Sequence, residues 1–159
     1  MKIDILCVGK IKEPELRGLI AEYSKRLSKY CKLEILEVAD EKTPDGAGEK
    51  LEDEIRKKEG ERLLKLVKDD AYVVALAIDG DMYSSEQLAR RLDRLGVEGK
   101  SHIQLIIGGS LGLHENVLKR ADHHLSFSKL TFPHQLMRVI LLEQIYRSYR
   151  INSGEPYHK

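Results

Sequence analysis

LIIGGSLGL, residues Leu105–Leu113, runs apolar residues into a Gly-Gly-Ser turn and a further glycine, with a helix start at His114. An apolar strand that ends in glycines just before a helix is the pattern of an α/β protein whose backbone comes close to a ligand. Two motifs with the same ingredients do not fit. A phosphate-binding P-loop needs Gly-Lys-Ser/Thr, but Leu-His-Glu follows Gly112. The dinucleotide fingerprint needs Gly-x-Gly-x-x-Gly soon after a first strand, whereas these glycines stand late in the chain, at 108, 109 and 112, in the wrong order. What remains is ligand approach at the carboxyl end of a parallel strand, or a purely structural tight turn.

Outward from that turn, strands and helices alternate. Ile3–Val8 reads as a strand, and Glu13–Lys29 carries Leu16, Leu19, Ile20, Tyr23 and Leu27 at helical spacing. Leu33–Val38 is a second strand, and DEKTPDGAG (Asp40–Gly48) is a polar, turn-rich loop. Glu49–Lys68 is a charged helix with a narrow apolar stripe, its charges forming a solvated face. YVVALAI (Tyr72–Ile78) is continuously apolar, as a central strand covered on both faces would be. Ser84 with Gln87 three residues on is a capping box opening a helix through Leu95. His102–Ile107 and His123–Phe127 are further strands, and His134–Arg150 is a last helix. The expectation is one α/β domain over residues 1–159, with a mainly parallel sheet and helices on both faces.

Three strands leave into loops of small or apolar residues: after Leu76, after Ile107, and through LSFSKLTFP (Leu125–Pro133). Together they would form one pocket of backbone, Leu, Ser, Thr and Phe, suited to an adenine nucleoside rather than a triphosphate. The last helix has apolar residues on every side, from Leu136 to Tyr149, and such a helix is buried on every side. Either a second copy of the chain covers it in a two-fold homodimer, or it threads its own core.

The 159 residues carry a net charge of +1, which argues against a simple polycationic nucleic-acid binder. From residue 100 onward, eight Lys/Arg stand against four Asp/Glu, a net +4, and all six histidines lie there too. Polar chemistry is thus concentrated toward the carboxyl end. His123 and His124 are adjacent in a strand, so they point to opposite faces, and no third ligand has suitable spacing: no metal is expected. Cys7 and Cys31 lack metal or catalytic spacing and read as reduced, buried thiols of a cytoplasmic protein. No apolar run reaches the ~20 residues of a membrane span, and the opening MKIDILCVGK does not read as a signal peptide.

LIIGGSLGL, then LSFSKLTFPHQLMRVILLEQIYRSYRI, then EPYHK resemble the ribosomal large-subunit methyltransferase H family, a small branch of the SPOUT methyltransferases. The resemblance covers the whole chain. It implies a carboxyl-terminal trefoil knot, a homodimer, S-adenosylmethionine as cofactor, and methylation of N3 of a pseudouridine in 23S rRNA. By motif, it assigns cofactor binding to Leu76, Gly108, Phe127, Ser128, Lys129, Leu130, Thr131 and Phe132. Catalysis would fall to Tyr157, His158 and Arg147: His158 as proton acceptor, Tyr157 to stack on or bond the base, Arg147 to grip phosphate or carbonyl. The other reading of a terminal Tyr-His is a frayed end. Another RNA such as a tRNA, or a non-catalytic ribosome-binding module, are the competing functions. With so small a net charge, the substrate is expected to be a shaped assembly, the large subunit or the whole ribosome.

Overall fold

A computed structural model describes all residues 1–159. The elements in chain order are β1 (Lys2–Val8), α1 (Pro14–Leu27), β2 (Lys32–Val38), α2 (Glu49–Leu64), β3 (Tyr72–Met82), α3 (Ser85–Val97), β4 (His102–Ile107), α4 (Glu115–Arg120), β5 (His123–Ser126) and α5 (His134–Asn152). The five strands form one parallel sheet in the order β2-β1-β4-β3-β5.

Alternation along the strands sorts the core into two layers. Ile3, Ile5, Cys7, Ile103, Leu105 and Ile107 face one side and meet Leu27 of α1, Leu95 of α3 and Leu141, Leu142 and Ile145 of α5. Leu6, Val8, Val73 and Ile106 face the other side and meet Leu63 of α2 and Val117 of α4. Asp4 and Gln104, paired across β1 and β4, are the polar exceptions on that second face. Gln104 Nε2 donates to Asp4 Oδ2 (3.0 Å) and to the Leu66 carbonyl, its Oε1 accepts from the Lys68 amide, and His102 Nε2 lies 2.6 Å from the same Asp4 oxygen, while Asp4 Oδ1 has no partner.

One expectation is corrected, and one open choice is narrowed. The central strand does not stop at Ile78. Leu125 of β5 pairs with Leu76 and again with Asp81, so residues 77–80 bulge out and β3 resumes as far as Met82. Gly80 permits this, because a Cβ there would lie 2.7 Å from the His124 carbonyl carbon. The last helix also finds cover in its own chain. It lies between α1 and α3, and Val139, Leu141, Leu142, Ile145 and Tyr146 are buried there. The flanking helices are the layer that a count of residues did not reveal. Leu136, Met137, Ile140, Tyr149 and Ile151 are the apolar residues it leaves partly uncovered.

Candidate functional site

The carboxyl ends of β3, β4 and β5 are neighbours in the sheet, and their loops enclose a cleft of about 150 Å³. One wall is Leu76, Ala77 and Ile78 from β3 and its bulge; a second is Ile107, Gly108, Gly109 and Gly112. The third is the segment after β5, with Phe127, Ser128, Leu130, Thr131 and Phe132, closed by His134 and Met137 of α5. Of the eight residues assigned to cofactor binding, seven line this cleft. Lys129 is exposed and does not. No lysine or arginine lines it, and His134 is its single ionisable side chain. Burial, and next the charge of Arg138, hold that imidazole below its usual pKa, so it is neutral near pH 7.

Local chemistry shapes each wall. Ser126 Oγ donates to the Ser128 carbonyl, and Ser128 Oγ accepts from the Leu130 amide, which curls the chain over the cleft. Gly112 has φ +82° and its amide closes on the Gly109 carbonyl at 3.0 Å. A Cβ at Gly108 would lie 2.7 Å from the Gly112 carbonyl carbon. The glycine at 108 is therefore needed first by its own turn, a different reason from the room for a ligand that the sequence suggested. Arg138, buried at the start of α5, donates to Glu37 Oε2 (2.6 Å) and to the Gly9 carbonyl, which ties the helix to the ends of β1 and β2.

Arg147, Tyr157 and His158 come together at the other end of α5. Glu143 Oε1 accepts from Arg147 Nε (3.0 Å) and Nη2 (2.6 Å), and also from the Tyr157 hydroxyl (3.1 Å). The Arg147 guanidinium lies 4.7 Å from the Tyr157 ring centre. Arg147 Nη1 is 3.1 Å from His158 Nδ1, and His158 Nε2 is 2.7 Å from Glu86 Oε1 of α3. Burial, and then the Glu143 charge, push the Tyr157 phenol up to about 12, so it stays protonated. Its ring packs edge-on against Tyr146 at 5.0 Å, which makes Tyr157 part of an aromatic cluster.

The chain end is not frayed. Arg150 bonds Glu155 and the Pro156 carbonyl, and Tyr30 donates to Glu155. Arg150 is thus occupied in holding this segment. Glu143, Glu86 and His134 were missed by sequence reasoning. Glu143 alone carried a signal, its i,i+4 spacing to Arg147. His123 stacks on Tyr83 while His124 bonds the Leu118 carbonyl on the opposite face. No group of three or more His, Cys, Asp or Glu is placed to hold a metal ion.

A family model described as "Predicted SPOUT methyltransferase" matches residues 1–158. The chain belongs to the SPOUT methyltransferase family. Among its relatives, "Ribosomal RNA large subunit methyltransferase H" of Bifidobacterium adolescentis is 67% identical over 159 residues, covering 100% of both chains. The protein of the same name from Clostridium novyi is 64% identical over the same full lengths. In three dimensions the chain is similar to a probable methylase family protein from Haemophilus influenzae, with a TM-score of 0.55 at 14% identity over 99% of this chain and 70% of that one. That likeness concerns the fold.

Proposed function

We propose that this SPOUT methyltransferase uses S-adenosylmethionine to methylate N3 of a pseudouridine in 23S rRNA, in the cytoplasm, on the assembled ribosome. The observation that carries the reading is the full-length likeness to proteins named ribosomal RNA large subunit methyltransferase H. The chemistry of the cleft's lining supports that cofactor. A nucleoside with a methionine arm presents apolar and hydrogen-bonding surface and no phosphate, and the cleft offers apolar side chains, backbone groups and no Lys or Arg. Leu76, Phe127, Leu130 and Phe132 would hold the apolar parts; Gly108, Ser128 and Thr131 would offer polar groups. When bound, the cofactor supplies an electrophilic methyl group. The trefoil threading belongs to the same reading. Its support is that segment 127–133 and loop 108–112 share one cleft, while α5 returns to β4, two strands in from β5.

The imide N3 must lose a proton, whose pKa lies well above neutral, for its lone pair to attack. Arg147 offers a cation to steady the negative charge that develops on the base. Tyr157, protonated with its phenol at about 12, donates rather than accepts. His158 takes the proton through Nδ1 once Arg147 turns from that nitrogen to the base. Met137 at the cleft and Arg147 are ten residues apart on one helix, about 15 Å. A cleft is therefore served by the Tyr157–His158 segment of a second copy, in a homodimer. Apolar side chains at the cleft's mouth support this: Ile78 is 51% and Leu130 71% exposed.

The deciding experiment is methyl transfer to free 23S rRNA, isolated large subunits and whole ribosomes, with the product nucleoside identified by mass spectrometry. Methyl-pseudouridine from ribosomes is the expected result. Transfer to a tRNA and not to ribosomes would overturn the substrate. Absence of cofactor binding in calorimetry would return the protein to a pure binding module.

A further inference from the structure

We infer that the first turn of α3 is the cradle that sets the posture of the Tyr157–His158 segment, with Glu86 as the positioning residue for His158. The inference rests on the reading above, that this segment belongs to the active site. Arginine has donors and no acceptor, so the His158 Nδ1 that faces Arg147 must be the acceptor. The imidazole proton is then on Nε2, where it is donated to Glu86 Oε1 at 2.7 Å. Glu86 thereby selects the tautomer in which Nδ1 carries the free lone pair. A proton acceptor on a base needs that nitrogen turned outward.

The sequence places this carboxylate with some care. Ser84 and Gln87 close a capping box, fixing where α3 begins, and Glu86 is its second residue. Its carboxylate accepts first from its own backbone amide and next from His158, and both hold its pKa below the usual carboxylate range. It therefore stays ionised at any pH where the enzyme would work. The neighbouring Ser85 hydroxyl donates to Gln144 Oε1 (2.8 Å), and Gln144 Nε2 donates to Glu143 Oε2 (2.8 Å). One turn of helix thus reaches His158 directly and the Arg147–Tyr157 pair through Gln144 and Glu143. Glu86 is about half exposed, and an exposed pair of this kind exchanges readily. That suits a contact which holds the imidazole between turnovers and yields when substrate arrives.

The test uses the full chain with Glu86→Ala and Glu86→Gln. Two readouts are needed: the His158 imidazole tautomer by NMR, and methyl transfer to ribosomes, for kcat and KM. In Glu86→Ala the preference for the Nε2–H form should weaken, because the acceptor for that proton is gone. The kcat should drop about five-fold, with affinity for S-adenosylmethionine in calorimetry unchanged. Glu86→Gln, which keeps an acceptor, should recover part of the rate. An unaltered His158 tautomer in Glu86→Ala would overturn the cradle. If the tautomer shifts while His158→Ala methylates at the full rate, the cradle stands and the catalytic reading of the segment is what fails.

Discussion

At the scale of single residues, the three candidates around Glu143 have different bonds to lose. Tyr157→Phe keeps the ring against Tyr146 and removes the hydroxyl that Glu143 accepts. It should leave the melting temperature within a few degrees of the parent and lower the transfer rate about ten-fold. His158→Ala should lose more, and raising the pH should restore part of the rate, because hydroxide and the ionised imide take over the proton transfer. A loss that no pH repairs would assign His158 to binding alone. Histidines of a second kind govern acid stability. His134 and His123 both have pKa values lowered chiefly by burial, so the folded state resists protonating them. Folded pKa below unfolded pKa means that stability is complete above the unfolded value of about 6.5 and is lost as pH falls through the folded one. Urea titrations at pH 7.5 and pH 5.5 should show this loss, and His123→Asn with His134→Asn should shrink the difference.

Elements show where the sequence was legible. The capping box at Ser84 and Gln87 forms as read, because its partners lie three residues apart and no tertiary contact is needed. The strand ends after Leu76, Ile107 and Ser126 converge as expected, since apolar runs followed by small residues mark the carboxyl edge of a parallel sheet. The bulge at 77–80 was not legible: Asp79-Gly80-Asp81 reads as a loop, and only the pairing with β5 shows that the strand resumes. Glu86 was equally hidden, because its partner is 72 positions away. The glycine turn gives a prediction at this scale. Gly108→Ala drives a methyl group to 2.7 Å from the Gly112 backbone, which should cost about 2 kcal/mol and weaken cofactor binding together with it. Gly112→Ala meets no atom within 4 Å but holds φ +82°, so it should cost about 1 kcal/mol through strain alone. Thermal melts and calorimetry of both variants would separate crowding from strain.

For the whole molecule, the open matter is how many chains make the working unit. The all-round apolar helix suggested two, yet most of that apolarity is spent inside one chain, between α1 and α3. What is left for a partner is Leu136 (37% exposed), Ile140, exposed Met82, and the apolar mouth at Ile78 and Leu130. Leu136→Glu with Ile140→Glu should therefore yield a folded monomer by light scattering, where replacing Ile145, only 4% exposed, would unfold the chain. The parent should be a dimer, and a monomeric parent would remove the case for a shared site. No helix is long and apolar enough to cross a membrane.

The position of α5 also governs when the molecule can fold. Leu141, Leu142 and Ile145 fill the slot between α1 and α3, yet they follow every strand of the sheet in the chain. During synthesis the sheet face formed by Ile3, Ile5, Ile103 and Leu105 has only α1 and α3 to flank it, and its middle stays uncovered until those residues emerge. Contacts between the first and last elements are long-range, so their closure comes late and slowly. The nascent chain therefore leaves its ribosome with an unfinished core, and a chaperone that shields apolar surface has its longest opportunity just before α5 docks.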